Sequence, residues 1–541
     1  MNSKMKFVLT LSGCMILLVI ILLFLRKITA PDEPAEPILT DPVLIEGKML
    51  SEMHCAGCHK YPEPNLLPWE TWRFETLDAM APFLGVNTGD GNISSGLANE
   101  RSSNPYVPEN TYPSEPQVTR EEWEKIRNYY LSMAPRQLQP AEKNREIITD
   151  SLFFKARYSE HRPEGFPQVT SVKFDPAKKL IYLSDFDSRN FMVFNENLDL
   201  VHQSGIESPI SHIHIQKVTG SEADRRELLL TFLGRLDPSD APYGSVVSWW
   251  YYSGLQTSGQ DSVLLEDITR PVASGTADLN QDGLEDLIVN EFGHRGGSLF
   301  WLENKGEGNP PEKKILINTP GCIQSHVMDY TGNSNPDILA LCAQTAQAIY
   351  LFQNRGDGEF DRTTLLEFNV TAGSSSFEIH DFNRDGKPDI LYTSGDNADF
   401  SQILKTYHGV YIYLNDGSGS FTKEWFYPVN GAYNAKARDF DGDGNLDLAV
   451  ISYFADYENS SEDGFIFFKN EGDLDFTPYS HPLGYMGRWM TMDVADWTGN
   501  GRDDIILANF PEGPVQPSDH VKEKWKNGPY FLLLENQSGE P

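Results

Sequence analysis

Five short loops in this chain open with an aspartate and share one pattern of oxygen-bearing side chains. Each loop places Asp, Asn or Thr at its first, third, fifth and ninth positions, and four of the five place glycine at the sixth. Oxygens at this spacing converge on one point, the glycine permits the sharp turn, and Ca²⁺ prefers six to eight oxygen ligands. The loops therefore predict up to five calcium sites. The expected ligands are Asp278, Asn280, Asp282, Asp286, Asp329, Thr331, Asn333, Asp337, Asp381, Asn383, Asp385, Asp389, Asp439, Asp441, Asp443, Asp447, Asp496, Thr498, Asn500 and Asp504.

The five loops differ in how many carboxylates they offer to a cation. The loop at Asp439 has a carboxylate at all four ligand positions, so we expect it to bind calcium best. The loops at Asp278 and Asp381 have three carboxylates each. The loops at Asp329 and Asp496 have two each, and we expect them to be weak or empty. The role predicted for the ions is structural, since they fix the loops.

The elements around these loops are short strands rather than helices. Each loop leads into an apolar run, and an aromatic-rich run ending at an asparagine follows it; these asparagines are Asn304, Asn354, Asn415, Asn470 and Asn536. The two motifs together resemble FG-GAP/VCBS repeats, the integrin-like calcium-binding blades of β-propellers, over residues 165–541. The resemblance implies an all-β propeller over residues 150–541. Residues 169–185 and 213–233 have the strand-loop-strand pattern without the aspartates, so seven blades are expected, with residues 151–156 supplying the closing strand.

A second kind of chemistry is indicated near the N-terminus by Cys55, Cys58 and His59, which form a Cys-x-x-Cys-His motif. This motif is the attachment pattern of c-type haem, in which both thiols bond to the porphyrin and the histidine ligates the iron. Helical patterns over residues 43–54 and 120–133 flank it, in an order that resembles class I c-type cytochromes. The resemblance implies one covalent haem c in a small all-α domain over residues 43–137. Met80 is the first choice for the sixth iron ligand and Met133 the second.

The N-terminal residues indicate a membrane anchor. An apolar run over residues 7–25 lies between basic residues, and at 1.5 Å per residue it spans about 28 Å, enough for a bilayer core. We therefore expect a signal anchor or transmembrane helix over residues 1–27 and a Pro-rich linker over 28–42. A lipobox-like sequence ending at Cys14 leaves a lipoprotein as the alternative. Because c-type haem is attached on the outer face, the expected location is the bacterial inner membrane, facing the periplasm.

Composition and the remaining motifs limit the function further. The formal net charge of −34 argues against a nucleic-acid partner, because phosphate binding needs clustered basic residues. Cys322 and Cys342 would flank one hairpin, and either a disulfide or two thiols is compatible with the sequence. His212 and His214 alternate on a predicted strand and point the same way, which suits a metal or active-site pair and equally a channel-lining pair or a core pair with satisfied hydrogen bonds. No nucleophile elbow, P-loop or dinucleotide fingerprint is present, so no catalytic residue is assigned.

These observations predict a multidomain protein with a transmembrane helix, a small all-α cytochrome c domain and an all-β propeller of seven blades. The expected function is electron transfer, with the propeller docking a partner protein or a small-molecule substrate whose identity the sequence leaves open. One alternative is an enzyme that oxidises a substrate on the propeller and passes electrons to the haem. Another is a cell-surface module that binds glycan or protein.

Overall fold

The structure is a computed structural model that describes residues 39–86, 104–139, 141–151, 153–162, 165–216, 225–252, 260–397, 403–514 and 517–538. The predicted membrane anchor, Cys14 and most of the predicted linker lie outside these residues. Within the described ranges, no helix has the length and hydrophobicity needed to cross a membrane.

The first described segment forms a small helical part. Helix α1 spans Pro42–Cys55 and helix α2 spans Arg120–Met133. Between them lie short helical turns at Pro64–Leu66, Trp69–Thr71, Trp72–Thr76, Leu77–Met80 and Ala81–Leu84.

Local sequence accounts for where both long helices begin and where they touch. The Asp41 side chain accepts a hydrogen bond from the Val43 amide (2.9 Å), and Thr119 and Glu122 form a reciprocal capping box at the start of α2. The helices cross at Gly47, where a Cβ atom would lie 2.3 Å from the Lys125 carbonyl oxygen. Only glycine allows the two backbones to approach this closely.

The rest of the chain is a seven-bladed β-propeller. Two short strands, β1 (Ile148–Thr149) and β2 (Phe154–Arg157), precede the first blade. Blade 1 contains β3 (Val169–Asp175), β4 (Leu180–Asp185), β5 (Asn190–Phe194) and β6 (Leu200–Gly205); blade 2 contains β7 (Ile210–Ile215), β8 (Arg225–Phe232), β9 (Gly244–Tyr252) and β10 (Gln260–Ile268). Blade 3 contains β11 (Pro271–Ala277), β12 (Asp286–Glu291), β13 (Ser298–Glu303) and β14 (Glu312–Ile317); blade 4 contains β15 (Cys322–Met328), β16 (Asp337–Cys342), β17 (Ala348–Asn354) and β18 (Phe360–Glu367).

The last three blades follow the same order. Blade 5 contains β19 (Ser374–His380), β20 (Asp389–Ser394), β21 (Gly409–Asn415) and β22 (Phe421–Pro428). Blade 6 contains β23 (Ala432–Arg438), β24 (Asp447–Ser452), β25 (Phe465–Asn470) and β26 (Phe476–Ser480), to which β1 adds a parallel fifth strand. Blade 7 contains β27 (Trp489–Ala495), β28 (Asp504–Asn509) and β29 (Phe531–Asn536), followed by β2 as its outer strand. Helix α3 (Asp519–Lys526) lies between β28 and β29.

The ring is closed by β2, as the sequence predicts. Phe154 to Arg157 pair antiparallel with Asn536 to Leu533, so a strand from before blade 1 completes blade 7. The first strands of successive blades contact one another around the axis, including β27 with β3. Seven blades are confirmed, and the two segments without aspartate loops are blades 1 and 2.

The hairpin connections divide the propeller into two faces. Because the strands of a blade run antiparallel, the turns after its first and third strands lie on one face and the turn after its second strand lies on the other. All five aspartate loops follow a first strand, so they share the face that we call the calcium-loop face. The opposite face, which we call the docking face, carries residues 233–243, 292–297, 403–408, 453–464 and 510–530 at its second turns.

The helical part rests on the docking face. The Tyr407 hydroxyl donates to the Leu66 carbonyl oxygen (3.0 Å), and Ile403 is buried in the helical core. At blade 2, the Asn104 side-chain amide donates to Asp240 (3.4 Å). These contacts place the helical part and the calcium loops at opposite ends of the propeller.

Cys322 and Cys342 form a disulfide, which settles the alternative left open by the sequence. They are directly paired residues of β15 and β16, at the docking-face end of both strands. The bond joins the two innermost strands of blade 4.

Charged and polar side chains line the axis. The buried Glu378 carboxylate accepts hydrogen bonds from Lys436 (2.9 Å), His380 (3.0 Å) and Arg438 (3.3 Å). Burial opposes ionisation of Glu378, but Lys436, His380 and Arg438 outweigh it and hold the pKa of Glu378 well below its usual range. The group therefore links blades 5 and 6 as an ionised carboxylate.

His212 and His214 also face this axis region. Their rings stack at 6.4 Å between centroids. Burial, followed by His214 and Lys173, lowers the pKa of His212 to about 4, so the imidazole is neutral at physiological pH. Among the described residues, no third His, Cys, Asp or Glu ligand atom groups with the pair.

Removal of a buried side chain from the closing strand should destabilise the propeller. Phe154 is 5% exposed and packs between blades 6 and 7, so Phe154→Ala should lower the free energy of unfolding by about 3 kcal/mol. Ile148 on β1 is 47% exposed, and Ile148→Ala should change the free energy of unfolding by less than about 0.5 kcal/mol. Urea unfolding of both variants measures the difference; equal effects would contradict a closing role for β2.

The Glu378 cluster should give a pH-dependent stability. Because the folded pKa lies below the unfolded value, the carboxylate contributes fully above about pH 4.5 and its contribution is lost as the pH falls below that. Glu378→Gln should therefore cost about 3 kcal/mol at pH 7 and progressively less toward pH 3. Glu424→Gln, at an exposed position of β22, is the matched control. A pH-independent loss in Glu378→Gln would argue against an ionised carboxylate.

Candidate functional site

The first aspartate of each calcium loop is fixed by the loop's own backbone. One of its carboxylate oxygens accepts a hydrogen bond from the amide of the sixth loop residue, at 2.8–3.1 Å in all five loops. The sixth residue has a positive φ in every loop; it is glycine in four and Ser334 (φ 68°) in the loop at Asp329. That serine occupies a strained conformation, in a loop that the sequence expects to bind weakly.

The ninth aspartate of each loop is fully buried and joins two elements. One oxygen accepts from an amide at the second or third loop position, at 2.7–3.1 Å. The other accepts from the amide of the asparagine that ends the third strand, at 2.7–2.9 Å. These buried aspartates are Asp286, Asp337, Asp389, Asp447 and Asp504.

The asparagine adds a further hydrogen bond between the third strand and the loop. Its side-chain amide donates to the carbonyl oxygen of the eighth loop residue at 3.0–3.2 Å in every repeat. Both motifs are visible in the sequence, but the hydrogen bonds that join them are not. The one sign of these bonds in the sequence is that the two motifs recur together. The calcium loop and the asparagine turn therefore form one hydrogen-bonded unit.

The loop that the sequence ranks first is the one in which the carboxylates converge. Ligand oxygens of Asp439, Asp441 and Asp447 lie within 4.8 Å of one another, and no other trio of His, Cys, Asp or Glu side chains among the described residues does so. Burial, together with Asp441 and Asp443, raises the pKa of Asp447 to about 7. A bound dication would offset both the burial and the repulsion. Lys469 lies 3.4 Å from Asp441 and balances part of this charge.

The four predicted haem residues all lie in the helical part. Cys55 is the last residue of α1 and is half-buried, Cys58 is exposed in the following turn, and neither thiol is bonded. Burial raises the pKa of the Cys55 thiol to about 11. His59 is half-buried, and its Nδ1 atom lies 2.9 Å from the Lys60 carbonyl oxygen. A backbone partner for Nδ1 orients the ring and leaves Nε2 for a metal.

The two candidate sixth ligands remain alternatives. Met80 ends a helical turn and is half-buried, while Met133 ends α2 and packs against the helical core. Both methionines therefore remain ligand candidates predicted from the sequence.

The donor set of the helical part fits a covalently attached haem. It offers two unbridged thiols at the required spacing and an oriented imidazole. Two buried donors on one face of α2, Trp123 Nε1 and Arg127 Nε, have no hydrogen-bond partner within the part of the chain that the structure describes. Such orphaned donors are the kind that an acidic substituent of a cofactor satisfies.

Comparison with known proteins agrees with the repeat geometry. The model of the FG-GAP-like repeat matches residues 278–340, 329–392, 398–450 and 439–507. Residues 278–392 and 398–507 of the propeller are therefore similar to FG-GAP repeats. The matches cover the five aspartate loops and omit blades 1 and 2, which lack them.

Two curated relatives match part of the chain. The chain is 30% identical over 279 residues to mouse phosphatidylinositol-glycan-specific phospholipase D. The matched region covers 46% of this chain and 27% of that protein. It is 26% identical over 236 residues to human cartilage acidic protein 1, covering 40% of this chain and 34% of the relative. The chain thus spans about a third or less of each relative. A solved structure, BBS1N in complex with ARL6DN, is similar with a TM-score of 0.42 and 11% identity, over 73% of this chain and 99% of that one.

Calcium should bind most tightly at the Asp439 loop. Asp441→Asn leaves this loop with three carboxylates, like the loops at Asp278 and Asp381, so it should weaken calcium binding at this loop at least about tenfold. Chelation should destabilise the wild type, by about 2.7 kcal/mol for a site held at a hundredfold excess over its Kd. Calcium counted by equilibrium dialysis, with thermal unfolding in parallel, tests this.

The matched control is Asp357→Asn, at an exposed turn outside the loops. It should leave both calcium content and unfolding temperature unchanged. Identical calcium affinity in Asp441→Asn and wild type would refute the assignment of this loop.

Proposed function

We propose that this chain is a membrane-tethered, extracytoplasmic c-type haem protein whose calcium-stabilised propeller docks a partner or substrate beside the haem-bearing part. The observation that carries the proposal is the arrangement of Cys55, Cys58 and His59 at the end of α1. Two free thiols three residues apart are uncommon in an oxidising compartment unless something modifies them. The chain's other described cysteines are joined in a disulfide, as expected of such a compartment.

When bound, a haem c would supply one-electron redox chemistry at an iron ligated by His59. Cys55 and Cys58 would attach it, and the Lys60 carbonyl oxygen would orient the His59 imidazole. The core of Trp72, Trp123 and Tyr130 lies in the same helical part. A methionine sixth ligand would raise the reduction potential relative to a second histidine.

The propeller supports the docking half of the proposal. The propeller is a closed ring of seven blades, and the helical part contacts its docking face at blades 2 and 5. A ligand on that face would lie on the same side as the proposed redox centre.

Expression of residues 31–541 with the c-haem maturation machinery tests the proposal. The product should show a covalent haem that stays with the polypeptide on acid-acetone extraction, with a sharp α-band when reduced. Cys55→Ala/Cys58→Ala should release the haem, whereas Cys322→Ala/Cys342→Ala should retain it. An absence of covalent haem in the wild type would refute the haem assignment and leave a calcium-stabilised binding propeller.

The same material distinguishes the two sixth-ligand candidates. Met80→Ala should abolish the far-red absorption band of methionine-ligated ferric haem and lower the potential, and Met133→Ala should retain both. The reverse pattern would assign Met133. A high-spin spectrum in the wild type would exclude both methionines.

A further inference from the structure

The fourth residue of every calcium loop has a left-handed backbone conformation, with φ between 59° and 79°. Glycine occupies this position in three loops, as Gly332, Gly442 and Gly499, where a positive φ carries no steric cost. Gln281 (φ 60°) and Arg384 (φ 59°) occupy it in the other two loops. Because side chains other than glycine disfavour this conformation, we expect each of these two residues to make an interaction that offsets the strain.

The Arg384 side chain reaches the calcium loop of the next blade. Its Nη2 atom donates to the Gly444 carbonyl oxygen and to the Asn445 side-chain oxygen (3.0 Å). Arg384 belongs to the loop that begins at Asp381 in blade 5. Gly444 and Asn445 are the sixth and seventh residues of the loop that begins at Asp439 in blade 6. These hydrogen bonds therefore join two calcium loops of adjacent blades.

The same link occurs between blades 3 and 4. The Gln281 side-chain amide donates to the Ser334 carbonyl oxygen (2.9 Å) and to the Asn335 side-chain oxygen (3.1 Å). Ser334 and Asn335 are again the sixth and seventh residues of their loop. Arginine and glutamine differ in length and charge, yet each bonds the same two positions of the following loop.

The residues that accept these bonds also hold the predicted calcium ligands of their own loop. The Gly444 amide donates to the Asp439 carboxylate (3.0 Å), and the Asn445 amide donates to the Asp443 carboxylate (2.7 Å). A side chain that fixes Gly444 and Asn445 therefore fixes the backbone that positions the first and fifth ligands of this loop.

At the other end of the link, Arg384 lies between two predicted ligands of its own loop, Asn383 and Asp385. The Asp385 amide donates to the side chains of Asp381 (3.0 Å) and Asn383 (3.0 Å). An ion bound by these side chains would hold the backbone from which Arg384 extends. The link thus runs from the ligands of one loop to the ligands of the next.

Both ends of the link are exposed to solvent, since Arg384 and Gly444 lie at the surface of their loops. Hydrogen bonds between exposed groups contribute little net free energy when the groups must first be ordered. An ion in one loop supplies that order at one end. The second ion then binds to a loop whose backbone is already partly held, so less conformational entropy is lost on binding.

We infer that the loops at Asp381 and Asp439 bind their calcium ions cooperatively, with Arg384 as the residue that couples them. Gln281 couples the loops at Asp278 and Asp329 in the same way. The inference rests on the calcium binding that the proposed function includes, and it adds that the calcium-loop face fills by pairs of blades. It is independent of haem attachment.

Hydrogen–deuterium exchange of the full-length protein over a calcium titration, read by mass spectrometry, reports each loop separately. Asp385→Ala removes an exposed ligand from the loop at Asp381. It should raise the calcium concentration that half-protects residues 439–447, in the next blade, at least about fivefold. In an Arg384→Gly background the same change should leave that concentration unaltered, because the two loops are then independent. Glycine suits the positive φ, so this background should fold.

Arg384→Gln is the matched control, since glutamine forms this link at Gln281 and carries no charge. It should retain the effect of Asp385→Ala on the neighbouring loop. Loss of the effect in Arg384→Gln would assign it to charge and overturn the hydrogen-bonded link. An unaltered half-protection concentration after Asp385→Ala alone would overturn the coupling and leave calcium binding intact. Absence of any calcium-dependent protection in the wild type would refute calcium binding itself, and the coupling with it.

Discussion

The propeller depends on one buried carboxylate in each calcium-loop blade. The ninth loop aspartate, such as Asp286, uses both oxygens on backbone amides, one in its own loop and one at the end of the third strand. It thus ties the first hairpin of the blade to the second. Burying a carboxylate is unfavourable, as the raised pKa of Asp447 shows, and two amide donors repay only part of that cost. A calcium ion that shared the same oxygens would supply the rest, and the motif combines the buried aspartate with two or more exposed ligands that suit such an ion.

The two faces of the propeller differ in the kind of turn that they contain. In blades 3 to 7 the calcium-loop face contains repeated, mutually similar turns that differ mainly in the number of carboxylates. The docking face contains turns of different length and structure, from the loop around Asp240 in blade 2 to helix α3 in blade 7. Because the repeated geometry lies at one end, the turns at the other end are free to vary. The helical part contacts this second end.

The sequence predicts those parts of the molecule that are determined by local spacing. The five loops, their order of carboxylate content, the closing strand and the capping box at Thr119 are all local patterns, and the structure contains each of them. The disulfide required the register of two strands, which the sequence left open. The docking contacts of Tyr407 and Asn104 involve residues that are distant in sequence, and neither residue belongs to a repeated motif. No periodicity in the chain indicates them.

Closure of the ring shows how local and distant constraints combine. Strand β2 completes blade 7, but the same junction is also joined near the axis, where Asp493 of β27 accepts hydrogen bonds from Lys173 (2.9 Å) and the Phe174 amide (2.9 Å) of β3. Glu378 forms an equivalent link between blades 5 and 6 through the Ala437 amide (2.9 Å). Both acids lie three residues before the first loop aspartate of their blade, at Asp496 and Asp381. The same strand therefore carries an inter-blade link and then a calcium loop, so that a loop held rigid by calcium also holds the residue that joins its blade to the next.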